Sequence, residues 1–132
     1  MQTNEIPYRF ISVKPYDGQE DKLNLISSDC SIIFGNFGTG KTWLAYSVVK
    51  ELMTCMDIAD FELLTEVDLI TRIKAGFKDN SYEEKIDRFK EIDLLIVDEM
   101  GKSNDTEFNK AQLFEILNYR YNWMKRTILI CN

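Results

Sequence analysis

The sequence predicts an α/β fold in which helices cover both faces of a parallel sheet. Three observations predict it. A short apolar run, Cys30 to Phe34, leads into the glycine-rich stretch Gly35-Asn36-Phe37-Gly38-Thr39-Gly40-Lys41-Thr42, and an amphipathic helix follows. A second run, Leu94 to Val97, is apolar without interruption and ends in Asp98-Glu99. Strand-like and helix-like segments alternate from there to the end of the chain. In such sheets ligands bind at the carboxyl ends of the strands. Gly35, Asp98, Glu99 and Asn132 all fall at predicted strand ends.

Length and composition bound the reading. The 132 residues form one domain, large enough to bury about two-thirds of its unfolded surface. Hydrophobic residues at 45% and charged residues at 29% exclude a disordered chain. No apolar run approaches the roughly 20 residues of a membrane span, and Met1-Gln2-Thr3-Asn4-Glu5 does not open a signal peptide. The three cysteines are odd in number and irregularly spaced, and no histidine exists to complete a zinc site, so a reduced, cytoplasmic protein is expected. A net charge of −6 argues against a strong autonomous duplex-binding surface, though not against a local basic strip.

Residues 1–29 read as a lead-in: Tyr8 to Val13 suits a short strand, Pro15-Tyr16-Asp17-Gly18 a turn, and Gln19 to Leu25 a brief helix. Cys30 to Phe34, short, uncharged and rich in Ile and Phe, reads as a buried strand. The next helix carries Leu44, Ala45, Val48, Val49 and Leu52 on one face. Asp60 to Leu64 reads as the second strand, and Thr65 as the N-cap of a helix with Leu69, Ile70, Ile73 and Phe77 inward. Gly76 and Asp79-Asn80 close that helix. Ser81-Tyr82-Glu83-Glu84 matches a capping box, with Tyr82, Ile86 and Phe89 at helical spacing. Leu94 to Val97 is the strand buried on both faces. Asp105 or Thr106 caps a further helix with Phe108, Leu113, Ile116, Leu117 and Tyr121 inward, and Thr127 to Asn132 is the fourth strand.

The residues from Gly35 to Thr42 fit the phosphate-loop pattern G-x-x-x-x-G-K-[ST]. Glycines let backbone N–H groups turn inward at φ values that side chains forbid, and the helix start favours an anion. Gly35, Asn36, Phe37, Gly38, Thr39 and Gly40 therefore form the phosphate cradle. Lys41 reaches the β- and γ-phosphates, and the Thr42 hydroxyl takes one position on Mg²⁺. Trp43, at the helix start, either stacks on a base or packs half-buried against its neighbours. Asp98 suits the opposite side of the Mg²⁺, and Glu99, one residue on, suits orienting or deprotonating an attacking water. Asn132 is placed to hydrogen-bond the γ-phosphate or that water. Adjacent carboxylates suit water activation better than transfer to another acceptor.

These segments carry a resemblance. Gly35 to Ala45, Asp93 to Gly101 and Arg126 to Asn132 resemble Walker A, Walker B and sensor 1 of AAA+ ATPases. Within that superfamily they are similar to the DnaC-type bacterial and phage helicase loaders and to the IstB-type transposition helpers. The resemblance covers roughly residues 28–132 and implies a three-layer P-loop core that binds ATP and Mg²⁺. It implies further a replicative helicase as partner, single-stranded DNA nearby and self-association through nucleotide interfaces. A transposition helper, or a nucleotide-dependent binding module with little hydrolysis, shares the same residues.

The chain stops at the sensor 1 position, short of the family's fifth strand, trans-acting arginine and helical lid. Arg120 and Arg126 are candidate substitutes, otherwise solvated helix-end cations. A trans arginine contributes about 10³–10⁵ in rate, or roughly 4–7 kcal/mol of barrier. The 132-residue chain is therefore expected to bind Mg-nucleotide but turn it over slowly. Rapid steady-state ATP hydrolysis by this chain alone would contradict that.

Overall fold

The computed structural model describes residues 30–34, 40–55 and 57–131. Four strands form one sheet: β1 (Cys30–Phe34), β2 (Phe61–Thr65), β3 (Leu94–Asp98) and β4 (Arg126–Cys131). Their order is β1-β4-β3-β2 and every pairing is parallel. Helices α1 (Lys41–Thr54), α2 (Glu66–Asp79), α3 (Tyr82–Glu91) and α4 (Glu107–Asn122) connect them. The α/β class, with its P-loop arrangement of a parallel sheet between helical layers, is as the sequence predicts. Among the described residues no helix is long and apolar enough to cross a membrane.

The central strand explains the layering. Leu94, Leu95, Ile96 and Val97 are all fully buried, because side chains alternate between faces and both faces are covered. Leu94 and Ile96 pack with Ala45, Val48, Val49 and Leu52 of α1. Leu95 and Val97 point the other way, into a cluster with Leu69, Ile70 and Ile73 of α2, Ile86 and Phe89 of α3, and Ile116 of α4. Loss of a buried Leu or Ile here costs about 2–5 kcal/mol, so these few contacts dominate stability.

Strand β1 departs from expectation. It pairs with β4 alone among the described residues, and Cys30, Ile32 and Phe34 are exposed, Phe34 at 73%. Among the described residues only one face is covered: Ile33, between them, packs on the α1-side cluster. An uncharged run signals apolarity, but a strand is buried on both faces only when elements lie over both.

Thr65 and Thr106 cap their helices as expected, accepting from the Asp68 and Asn109 N–H groups at 3.1 and 3.2 Å. The Ser81 capping box does not form. Its hydroxyl is turned to donate to Asp79 Oδ1 at 2.6 Å, and Ser81, at φ −93 and ψ 8, lacks the extended backbone an N-cap takes. Gly76 lies inside α2 rather than at its end. A Cβ there would stand 2.6 Å from Tyr82 Cα, so the glycine permits the close α2–α3 crossing. Phe77 is half exposed and stacks on Tyr82, with ring centroids 4.8 Å apart.

On α4 the expected roles of two neighbours are reversed. Tyr121 is exposed, while Arg120 is completely buried. The Arg120 guanidinium donates to the carbonyls of Phe89, Lys90, Ile92 and Arg126 and to Thr127 Oγ1, at 2.6–3.1 Å. Burial pushes it down to about 10, so it remains charged at neutral pH. It ties the end of α3, the turn into β3 and the start of β4 together. Arg120→Met is expected to lower stability in urea denaturation by roughly 3–5 kcal/mol, because each stranded buried carbonyl costs about 1–3 kcal/mol. A loss below about 1 kcal/mol would contradict this role.

Candidate functional site at the carboxyl ends of β3 and β1

Parallel pairing brings residues distant in sequence to one rim. Gly40 adopts φ 83, a left-handed value suited to glycine, and its carbonyl accepts from Leu44 N–H at 2.9 Å as α1 begins. Lys41 and Thr42 occupy the first turn of α1, which holds no acidic residue. An acid there would repel the phosphate that such a helix start attracts.

The Thr42 hydroxyl donates to Asp98 Oδ2 at 3.1 Å across 56 residues of sequence. Asp98 Oδ1 accepts from the Glu99 N–H at 2.7 Å, so both carboxylate oxygens are oriented. Asp98 is half-buried and Glu99 exposed. The chain leaves β3 through a left-handed turn, with φ 51 at Glu99 and φ 89 at Gly101. Between them Met100 N–H donates to Ile130 O at 3.0 Å, tying the turn to β4.

Two hard oxygen donors about 3 Å apart suit adjacent positions on a Mg²⁺ ion, which binds at about 2.1 Å and keeps water and phosphate as its other ligands. Among the described residues no three His, Cys, Asp or Glu side chains converge on a metal site. The donor set thus fits a cation that arrives with a nucleotide.

The structure brings Lys41, Thr42, Asp98 and Glu99 to the same rim. Gly35, Asn36, Phe37, Gly38 and Thr39 lie outside the described residues, as do Asn132 and the lead-in 1–29. The half-buried Trp43 packs against Tyr46, as does Leu63. Arg120 and Arg126 do not belong here. Both lie toward the amino ends of β3 and β4, Arg120 buried and Arg126 paired with Asp57 at 3.9 Å. Neither is a free helix-end cation. Nothing in the sequence singled out Glu66, whose buried carboxylate meets the turn after Glu99. Its only signal there is an acid directly after the cap Thr65.

The comparisons with known proteins bear on this rim. A family profile described as IstB-like ATP binding protein matches residues 20–132. The chain belongs to the IstB-like ATP-binding protein family. This IstB-like chain is also 28% identical over 105 residues to the replicative helicase loader DnaC of Escherichia coli, covering 77% of itself and 42% of that protein. It is 27% identical over 100 residues to the chromosomal replication initiator protein DnaA of Neisseria meningitidis, covering 76% of itself and 19% of that protein. It thus spans less than half the length of either relative. Among solved structures, the replication initiator DnaA bound to AMPPCP and single-stranded DNA superposes with a TM-score of 0.76 at 20% identity, over 89% of this chain and 39% of that one. At that identity the likeness shows a shared fold.

The Thr42–Asp98 contact can be tested without nucleotide. In a double-mutant cycle of Thr42→Val and Asp98→Ala, urea denaturation is expected to give a coupling of about 1.5–3 kcal/mol, the range for a hydrogen bond to a charged group. A coupling near zero would separate the two residues.

Proposed function

We propose that this chain is the nucleotide-binding core of an ATPase that uses Mg-ATP to control engagement of a replicative helicase on single-stranded DNA. The observation that carries the reading is the 3.1 Å contact between the Thr42 hydroxyl and Asp98, with Lys41 beside one and Glu99 beside the other. Backbone N–H groups from Gly35 to Gly40 would cradle the phosphates. Lys41 would pair with the β- and γ-phosphates, a point charge aimed where negative charge grows in the transition state. Thr42 and Asp98 would hold Mg²⁺, which neutralises phosphate charge when bound.

Glu99 would orient the attacking water and take its proton. Its carboxylate is exposed and directly follows Asp98 at the end of β3. Asn132 would contact the γ-phosphate, and Trp43 would flank the nucleotide from the first turn of α1. A replicative helicase as partner is supported by the similarity to the helicase loader DnaC. Single-stranded DNA is supported by the fold shared with a DnaA solved in complex with it. Self-association through nucleotide interfaces would place a second chain against the exposed Glu99. The IstB-like family match favours a second reading, a transposition-helper ATPase that shares this core and recruits a transposase.

Glu99→Gln separates an enzyme from a binding module. Single-turnover hydrolysis is expected to fall about 10²–10⁴-fold while ATP affinity is retained, whereas Lys41→Ala should lose affinity. An unchanged rate in E99Q would favour the binding-module reading. For the partner, ATP-dependent co-purification with a replicative helicase supports the loader, and with a transposase the helper.

A further inference from the structure

We propose that Glu66 is a positioning residue for ATP hydrolysis, its buried carboxylate holding the turn that aims Glu99. The inference rests on the reading of Glu99 as the water-orienting group. Thr65 lies opposite Asp98 in the β2–β3 register, so Glu66 and Glu99 leave neighbouring strands side by side. Glu66 is 4% exposed. Its Oε1 accepts from Gly101 N–H at 3.1 Å, and its Oε2 accepts from Ser103 N–H at 3.0 Å and from the Ser103 hydroxyl. Among the described residues no ion pair involves it.

Stability alone gives little reason for this arrangement. Gly101 is exposed, so its N–H could bond to water, whereas burying a carboxylate is costly unless donors surround it. All three donors come from one turn, and that turn needs holding. Glu99 and Gly101 both have positive φ, an unfavourable state for the glutamate that persists only where surroundings impose it. Met100 N–H is tied to Ile130 O on the β4 side, and Glu66 grips Gly101 and Ser103 on the β2 side. The backbone carrying Glu99 is thereby fixed from two directions. An exposed carboxylate is aimed only as well as its backbone is held, and small misplacements of a catalytic group are expensive in rate.

The test is single-turnover ATP hydrolysis by the 132-residue chain, with Mg-ATP affinity measured alongside on the parent, E66A, S103A, E99Q and the E66A/E99Q double variant. E66A is expected to slow hydrolysis about 10- to 100-fold while affinity stays within about twofold. In the double variant the rate should be no lower than in E99Q, because Glu66 acts only through Glu99. Parent-like hydrolysis in E66A beside a slow E99Q overturns this inference alone, as does a double variant in which the two losses multiply. Parent-like hydrolysis in E99Q, or a parent with no measurable turnover, overturns the underlying reading and this inference with it. If E66A fails to fold cooperatively, S103A, which removes a single donor, decides: slower hydrolysis at unchanged affinity supports the proposal and an unchanged rate overturns it.

Discussion

The hydrogen bond from Thr42 to Asp98 exists only because β1 and β3 run in the same direction, with β4 between them. Parallel strands place all their carboxyl ends on one rim, and a helix that follows one strand begins where another strand ends. The phosphate-loop helix and the acidic strand end therefore meet although 56 residues separate Thr42 from Asp98. Register matters as much as direction. Side chains alternate along a strand, so a slip of one residue in β3 would turn Asp98 away from Thr42 and bring Glu99 toward it.

The two rims have different work. At the amino ends of β3 and β4, the buried Arg120 guanidinium gathers carbonyls from α3, the α3–β3 turn and β4. The one cation donates to all of them together. At the carboxyl ends, the carboxylates of Glu66 and Asp98 gather backbone N–H groups, the complementary chemistry. Glu99 there holds a left-handed backbone conformation, as Met124 does at the opposite rim before β4. The unfavourable φ at Glu99 persists against local ties, Met100 N–H to Ile130 O and the Glu66 carboxylate to Gly101 and Ser103.

Much of this was legible along the chain. The fold class, the four strands, the Thr65 and Thr106 caps and the fully buried run Leu94 to Val97 follow from local properties: periodicity, residue type and capping chemistry. The grouping of Lys41, Thr42, Asp98 and Glu99 was legible as well, because each stands at a strand end or helix start whose place in a parallel sheet is set by topology rules. Where reading failed, the missing information was a neighbour. Ser81 had the right sequence for a capping box, but its hydroxyl is turned to Asp79 and its backbone is not extended. Phe34 was apolar enough for a core but is exposed, on a strand that is at the sheet edge among the described residues.

Sequence by itself thus determined which elements form and where their polar ends fall, because those depend on residues a few positions apart. Tertiary structure decided which polar groups are buried and what they hold. Arg120 looks like any helix-end cation, and Glu66 like any acid in a first helical turn, until distant backbone closes around them. The reason is physical: the cost of burying a charge is met by donors and acceptors that only long-range packing can deliver.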